Sequence, residues 1–168
     1  MTLKQWTWLG FFFTLVLGTM LHFTYGWSGE NAIIGSFSAV NESTWEHLKL
    51  LFIPTFIFTI LQYAYLRRDY YSIFITNFIG ALIGMLLIIT FFYSYEGVLG
   101  KNMMFLDIFA FLLGTSGTYL FSYLSLKRHW LQTPFLSNAG VYFQLLLLLL
   151  FITFTMNPPT FGMFIPPT

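Results

Sequence analysis

Residues 70–93 read YYSIFITNFIGALIGMLLIITFFY, without one charged side chain. As an α-helix at 1.5 Å per residue this run is about 36 Å long, enough to cross a hydrocarbon core about 30 Å thick. In such a core every backbone N–H and C=O must be satisfied within the segment, so the run is read as one transmembrane helix. On its N-terminal side stand Arg67-Arg68-Asp69, and on its C-terminal side a polar stretch from Glu96-Gly97 to Asn102.

Beyond those breaks the pattern repeats. Runs of about 20 apolar residues, the length a span needs, cover 8–27, 45–66, 103–126 and 135–156. Composition agrees: the 168 residues are 57% hydrophobic and 8% charged with a mean hydropathy of +0.74, whereas a soluble domain is about 25% charged. The expected fold is therefore all-α, a single integral membrane bundle of five transmembrane helices. An outer loop, 28–44, and an outer Pro-rich tail, 157–168, complete it. The first run lies behind Lys4 as in a signal peptide, but no small-residue cleavage site follows, so it is read as a retained helix.

Retained Lys and Arg mark the cytoplasmic side. Lys4, Arg67, Arg68, Lys127 and Arg128 fall on one side, Lys49 and Lys101 on the other. This places the N-terminus inside and the C-terminus outside. An odd number of spans argues against a two-fold inverted repeat of the transporter kind. Gly80-x-x-x-Gly84 and Ala110-x-x-x-Gly114 suit close helix contact, within one chain or between copies. With no cysteine, a disulfide framework, a thiolate nucleophile and Cys-ligated metal are excluded. No GxSxG, HExxH or phosphate loop is present, and nothing points to nucleic acid.

With this direction, five of the six acids are outer: Glu30, Glu42, Glu46, Glu96 and Asp107. The stretch 41–49, NESTWEHLK, begins the second span, and Ser43 with Glu46 fits a capping box. Lys49 can snorkel outward or pair with Glu46, and Trp45 suits an interfacial belt. His22 sits about 7 Å below the outer interface by helical rise, and Asp107 about one turn inside the fourth span. Polar groups at depth are costly and face a partner or a wet cavity. His22, Tyr25, Asn41, Glu42, Glu46, His47 and Asp107 are thus the candidate ligand-binding residues of an outer-leaflet pocket. His22, Glu46 and His47 are its candidate metal ligands, for a divalent cation such as Zn, Mn or Fe. Each also has a plainer account: cap, interhelical hydrogen bond, or solvated carboxylate. Pro54 frees the carbonyl of Leu50 and can widen the pocket by a kink. Residues 32–40 are too short to cross and suit a lid or re-entrant segment packed over the pocket. Phe161, Met163, Phe164 and Ile165 in the tail are placed to fold back over the outer face.

His22, Tyr25, Trp27-Ser28-Gly29 and the run Asn41-Glu42-Ser43-Thr44-Trp45-Glu46-His47-Leu48-Lys49 resemble the motif of an uncharacterised family of small bacterial multi-pass membrane proteins, H-x-x-Y-x-W-S-G followed by N-E-S-x-W-E-H-L-K. Ala39 stands where that motif is expected to carry proline, which loosens the loop. The resemblance implies a bacterial cytoplasmic membrane and no particular reaction. Ser43-x-x-x-His47 also resembles one motif of seven-helix ceramidase-like hydrolases, but those need a late His-x-x-x-His pair that this chain lacks.

Three functions stay open beside the lipid bilayer as common partner. One is a module that binds or transports a metal cation or small polar ligand. Another is an intramembrane, metal-dependent enzyme acting on lipid, with Glu46 or His47 as base or ligand. The third is an accessory or structural subunit, in a homo-oligomer or a larger membrane complex. Haem held by His22 and His47 is a minor fourth.

Overall fold

Four of the helix starts follow from side chains that take up the orphan N–H groups of a first turn. Thr2 and Gln5 form a reciprocal capping box at the head of α1 (Leu3–Trp27). Asn31 caps the single turn of α2 (Ala32–Gly35), and Ser43 accepts from Glu46 N–H at the start of α3 (Thr44–Leu66). Thr133 with Pro134 in the first turn opens α6 (Pro134–Met156). α4 (Ile73–Leu99) ends at Gly100, whose φ of 66° and N–H bond to the Glu96 carbonyl make a left-handed stop. α5 (Met104–Lys127) completes the set. This computed structural model describes residues 1–166; the last two residues of the tail lie outside the described residues.

Five of these six helices are long and apolar enough to cross a membrane, and among the described residues there is no β-strand. The spans read from sequence differ at their ends. α1 begins at Leu3 rather than Trp8, because its cap lies at Thr2. α4 runs past Tyr93 to Leu99, because Glu96 and Gly97 continue the helix until Gly100 supplies positive φ.

α1, α3, α4 and α5 form a four-helix ring, in which α1 and α4 each pack against both α3 and α5. α6 lies outside the ring, chiefly against α4. α3 is the most enclosed span, and its Leu51, Phe52 and Phe58 are almost fully buried. Small residues set the closest approaches. A Cβ on Gly84 would stand 2.6 Å from the Gly114 carbonyl oxygen, and one on Gly80 2.8 Å from that of Thr118. The glycines of the third span therefore seat α5 of the same chain.

A second close approach involves Pro54, which lies inside an unbroken α3. Proline has no N–H, so the Leu50 carbonyl has no helical donor. That oxygen faces α1, where a Cβ on Gly18 would come within 2.6 Å of it. The tail folds back as its apolar residues suggested, but only in part. Phe164 is buried against Trp45 at 4.9 Å between ring centroids, whereas Phe161 and Ile165 stay exposed. Trp45 is partly buried, with its ring packed on Phe151 and Phe164.

Candidate metal centre

At the end of the ring where α1 finishes and α3 begins, the start of α3 sets the local geometry. Asn41 Oδ1 accepts from Ser43 N–H at 2.9 Å, closing an Asx turn, and Ser43 Oγ accepts from Glu46 N–H at 3.4 Å. The reciprocal half of the expected capping box does not form, because the Ser43 N–H is already taken. With Ser43 as N-cap, Glu42 is the residue before the cap and His47 the fourth in the helix. Those are the two positions that meet in a hydrophobic staple. Here the same backbone path brings two polar side chains together: Glu42 Oε2 lies 3.4 Å from His47 Nε2.

His47 Nδ1 is 3.0 Å from the Ser43 carbonyl oxygen. A carbonyl only accepts, so Nδ1 carries the proton and, in neutral imidazole, Nε2 presents its lone pair to the Glu42 carboxylate. Two lone pairs at this distance call for a positive charge between them, a proton or a metal cation. An imidazole whose other nitrogen donates to a backbone carbonyl is also the usual arrangement of a histidine metal ligand.

His22 reaches the same place from α1. Its ring centroid is 5.4 Å from that of His47, and its Nε2 is 3.8 Å from Glu42 Oε1. The other nitrogen, Nδ1, is buried with no hydrogen-bond partner among the described residues. One ligand atom each from His22, Glu42 and His47 lie within 4.8 Å of one another. Ligands 2.0–2.1 Å from a tetrahedral zinc sit about 3.3 Å apart. The group must therefore tighten by about 1.5 Å to close on an ion. Glu42 is the most open of the three, its side chain 66% exposed against 29% for His22 and 32% for His47.

Glu46, expected among the metal ligands, points elsewhere. Its carboxylate accepts from Val40 N–H at 3.1 Å and from the Thr155 hydroxyl at 2.8 Å, and pairs with Lys49 Nζ at 2.6 Å. It serves the packing of α3 against α6 and the preceding loop, and Glu42 stands where Glu46 was expected. Lys49 is fully buried in that pair rather than snorkelling. Tyr25 and Asn41 also lie outside the group. The Tyr25 ring packs beneath Gly35, its N–H donates to Ser38, and Asn41 is spent on the turn. His129 stacks on Tyr70 in the turn after α5.

His22, Glu42 and His47 line a cavity of about 700 Å³ within the four-helix ring. Asp107 lines it too, accepting a hydrogen bond from the Tyr95 hydroxyl. Leu50, Ile88, Ala110 and Phe111 form its apolar walls, and Thr19, Thr44 and Asn102 add polar atoms. Sequence reasoning had not singled out Thr19, Thr44 or Asn102; only helix packing brings them to one space. Among the described residues none of 32–40 lines the cavity. That segment is tied instead to α1 and α3, through Ser38 to the Leu21 carbonyl and through the Gly35 carbonyl to Lys49.

Comparison with curated proteins and with solved structures gives no match. A family model, described as a family of unknown function (DUF6512), matches residues 1–167. With the match running over nearly the whole bundle, His22, Glu42, His47 and Asp107 included, the chain belongs to the family of unknown function DUF6512.

Proposed function

We propose that this chain is a multi-pass protein of the bacterial cytoplasmic membrane that binds a divalent metal cation through His22, Glu42 and His47. The observation that carries the reading is the convergence of three ligand atoms within 4.8 Å, one imidazole lone pair being aimed at a carboxylate. Two imidazoles and one carboxylate suit Zn, Mn or Fe and leave coordination positions open toward the cavity. The distribution of Lys and Arg supports an outer position for the site, with the turns at 67–69 and 127–129 inside.

The test is metal content. Protein purified in a neutral detergent, loaded with zinc and desalted, retains one zinc per chain. His22→Ala, Glu42→Gln and His47→Ala each lose it, and Glu96→Gln, altered at the same end but outside the group, keeps it. Zinc retained by all three site variants, or not retained by the unaltered protein, overturns the reading.

A further inference from the structure

The cavity beside the metal ligands is asymmetric. Its ionisable atoms lie at one end, on His22, Glu42, His47 and Asp107, and its deeper wall is hydrocarbon, from Leu50, Ile88 and Phe111. It also has a side opening. α1 and α5 meet where a Cβ on Gly18 would stand 2.7 Å from the Phe111 ring. Beyond that contact, toward the histidines, Phe23 on α1 and Met104 and Ile108 on α5 line the cavity and are 48%, 77% and 61% exposed. Residues that line a cavity and face outward at once are the lips of a gap between two helices. In a bundle whose long helices suit a bilayer, those lips face acyl chains rather than water.

We infer that the cavity takes a single-chain amphiphile with an anionic head group, phosphate or carboxylate. It enters sideways between α1 and α5 and presents its head to the cation. This rests on the metal reading above. Charge complementarity favours an anion at the ion itself: Glu42 is the one carboxylate among its three ligands, which leaves it net positive with positions that face the cavity, while the Asp107 carboxylate at the same end accepts from the Tyr95 hydroxyl. Shape favours a chain: the side chains of Leu50, Ile88 and Phe111 on the deeper wall give no partner to a second polar group, and burying one against them without a partner is unfavourable. A volume of about 700 Å³ falls in the usual range for a small-molecule site, roughly 300–1,000 Å³.

The probes are lauroyl lysophosphatidic acid, inorganic phosphate and dodecanol, with purified protein in maltoside micelles and binding followed by native mass spectrometry. Zinc raises the affinity for lauroyl lysophosphatidic acid at least about tenfold, a difference of about 1.4 kcal/mol. Phosphate without a chain and dodecanol without a charge each bind at least about tenfold more weakly. Thr19→Trp and Ile108→Trp fill the gap from its two sides, at exposed positions. Each lowers the amphiphile's affinity by about the same factor while zinc content is unchanged. The inference is overturned if zinc makes no difference, if inorganic phosphate binds as tightly, if dodecanol binds as tightly, or if both tryptophan variants bind as the unaltered protein does. Zinc retained without chain-dependent binding sinks this inference alone, whereas failure to retain zinc sinks the metal reading and this one together.

Discussion

Lys49 Nζ lies 2.6 Å from the Glu46 carboxylate, one turn away on α3, and neither side chain has more than 3% of its surface exposed. The ammonium also donates to the Gly35 carbonyl and to Thr155 Oγ, each at 2.8 Å, so all its protons are used. Glu46 in turn accepts from Val40 N–H and the Thr155 hydroxyl. The pair therefore ties three parts of the chain together: the loop before α3, α3 itself and the end of α6. Removing one partner of such a pair strands the other charge, at a cost of about 3–5 kcal/mol, while removing both costs less than the sum. Lys49→Met and Glu46→Gln should each lower thermal stability in detergent strongly, and the double variant should recover part of the loss. Additive losses would show that the two charges do not depend on each other.

The histidines are expected to behave in the opposite way. His22 and His47 side chains are 29% and 32% exposed, against 0% and 3% for Lys49 and Glu46. His22→Ala and His47→Ala should abolish zinc retention with a modest change in melting temperature. Ser43→Ala removes the cap of α3 and should cost about 1 kcal/mol of stability. If instead the histidine variants melt much earlier and Ser43→Ala does not, the imidazoles are structural and the cap is not.

What could be read from the chain and what could not divide along physical lines. The five spans were legible because an apolar run of that length has one stable form in a bilayer, and the turns between them carry the polar residues. His22 and His47 were singled out together because each is a polar group near one interface. Which glutamate joins them was not legible from composition. Glu46 is drawn away by Thr155, a residue 109 positions later on α6, and no local spacing announces that contact. Glu42 had a local signal that passed unused: the residue before an N-cap stands over the fourth residue of the helix. The packing of Trp45 against Phe164 was hidden for the same reason as the fate of Glu46, since the tail that meets it is far along the chain.

Helix seating at Gly84 gives a sharper stability test. A Cβ there meets the Gly114 carbonyl oxygen at 2.6 Å and Leu51 Cδ2 at 2.9 Å, and the first of these is backbone that cannot rotate aside. Gly84→Leu should lower thermal stability by about 1–3 kcal/mol or more, the range for overpacking a tight contact. Gly97→Ala is the matched control, because a Cβ at Gly97 has nothing within 4 Å. Equal melting temperatures for the two variants would mean that α4 and α5 do not pack through Gly84.

The direction of the bundle in the membrane is the last expectation, and every statement about an outer site depends on it. Lys4, Arg67, Arg68, Lys127 and Arg128 fall at one end of the long helices, and Lys49 and Lys101 at the other. Of that second pair Lys49 is neutralised within the fold by Glu46, which among the described residues leaves Lys101 as the one solvated cation opposing the rule. The retained basic turns should hold their end on the cytoplasmic side. Reporter fusions at 67–69 and 127–129 should therefore report the cytoplasm, and a fusion after Met156 the opposite side. A cytoplasmic reporter after Met156 would turn the His22–Glu42–His47 group inward. Its cation would then be drawn from the cytoplasm, and the side opening between α1 and α5 would face the inner leaflet.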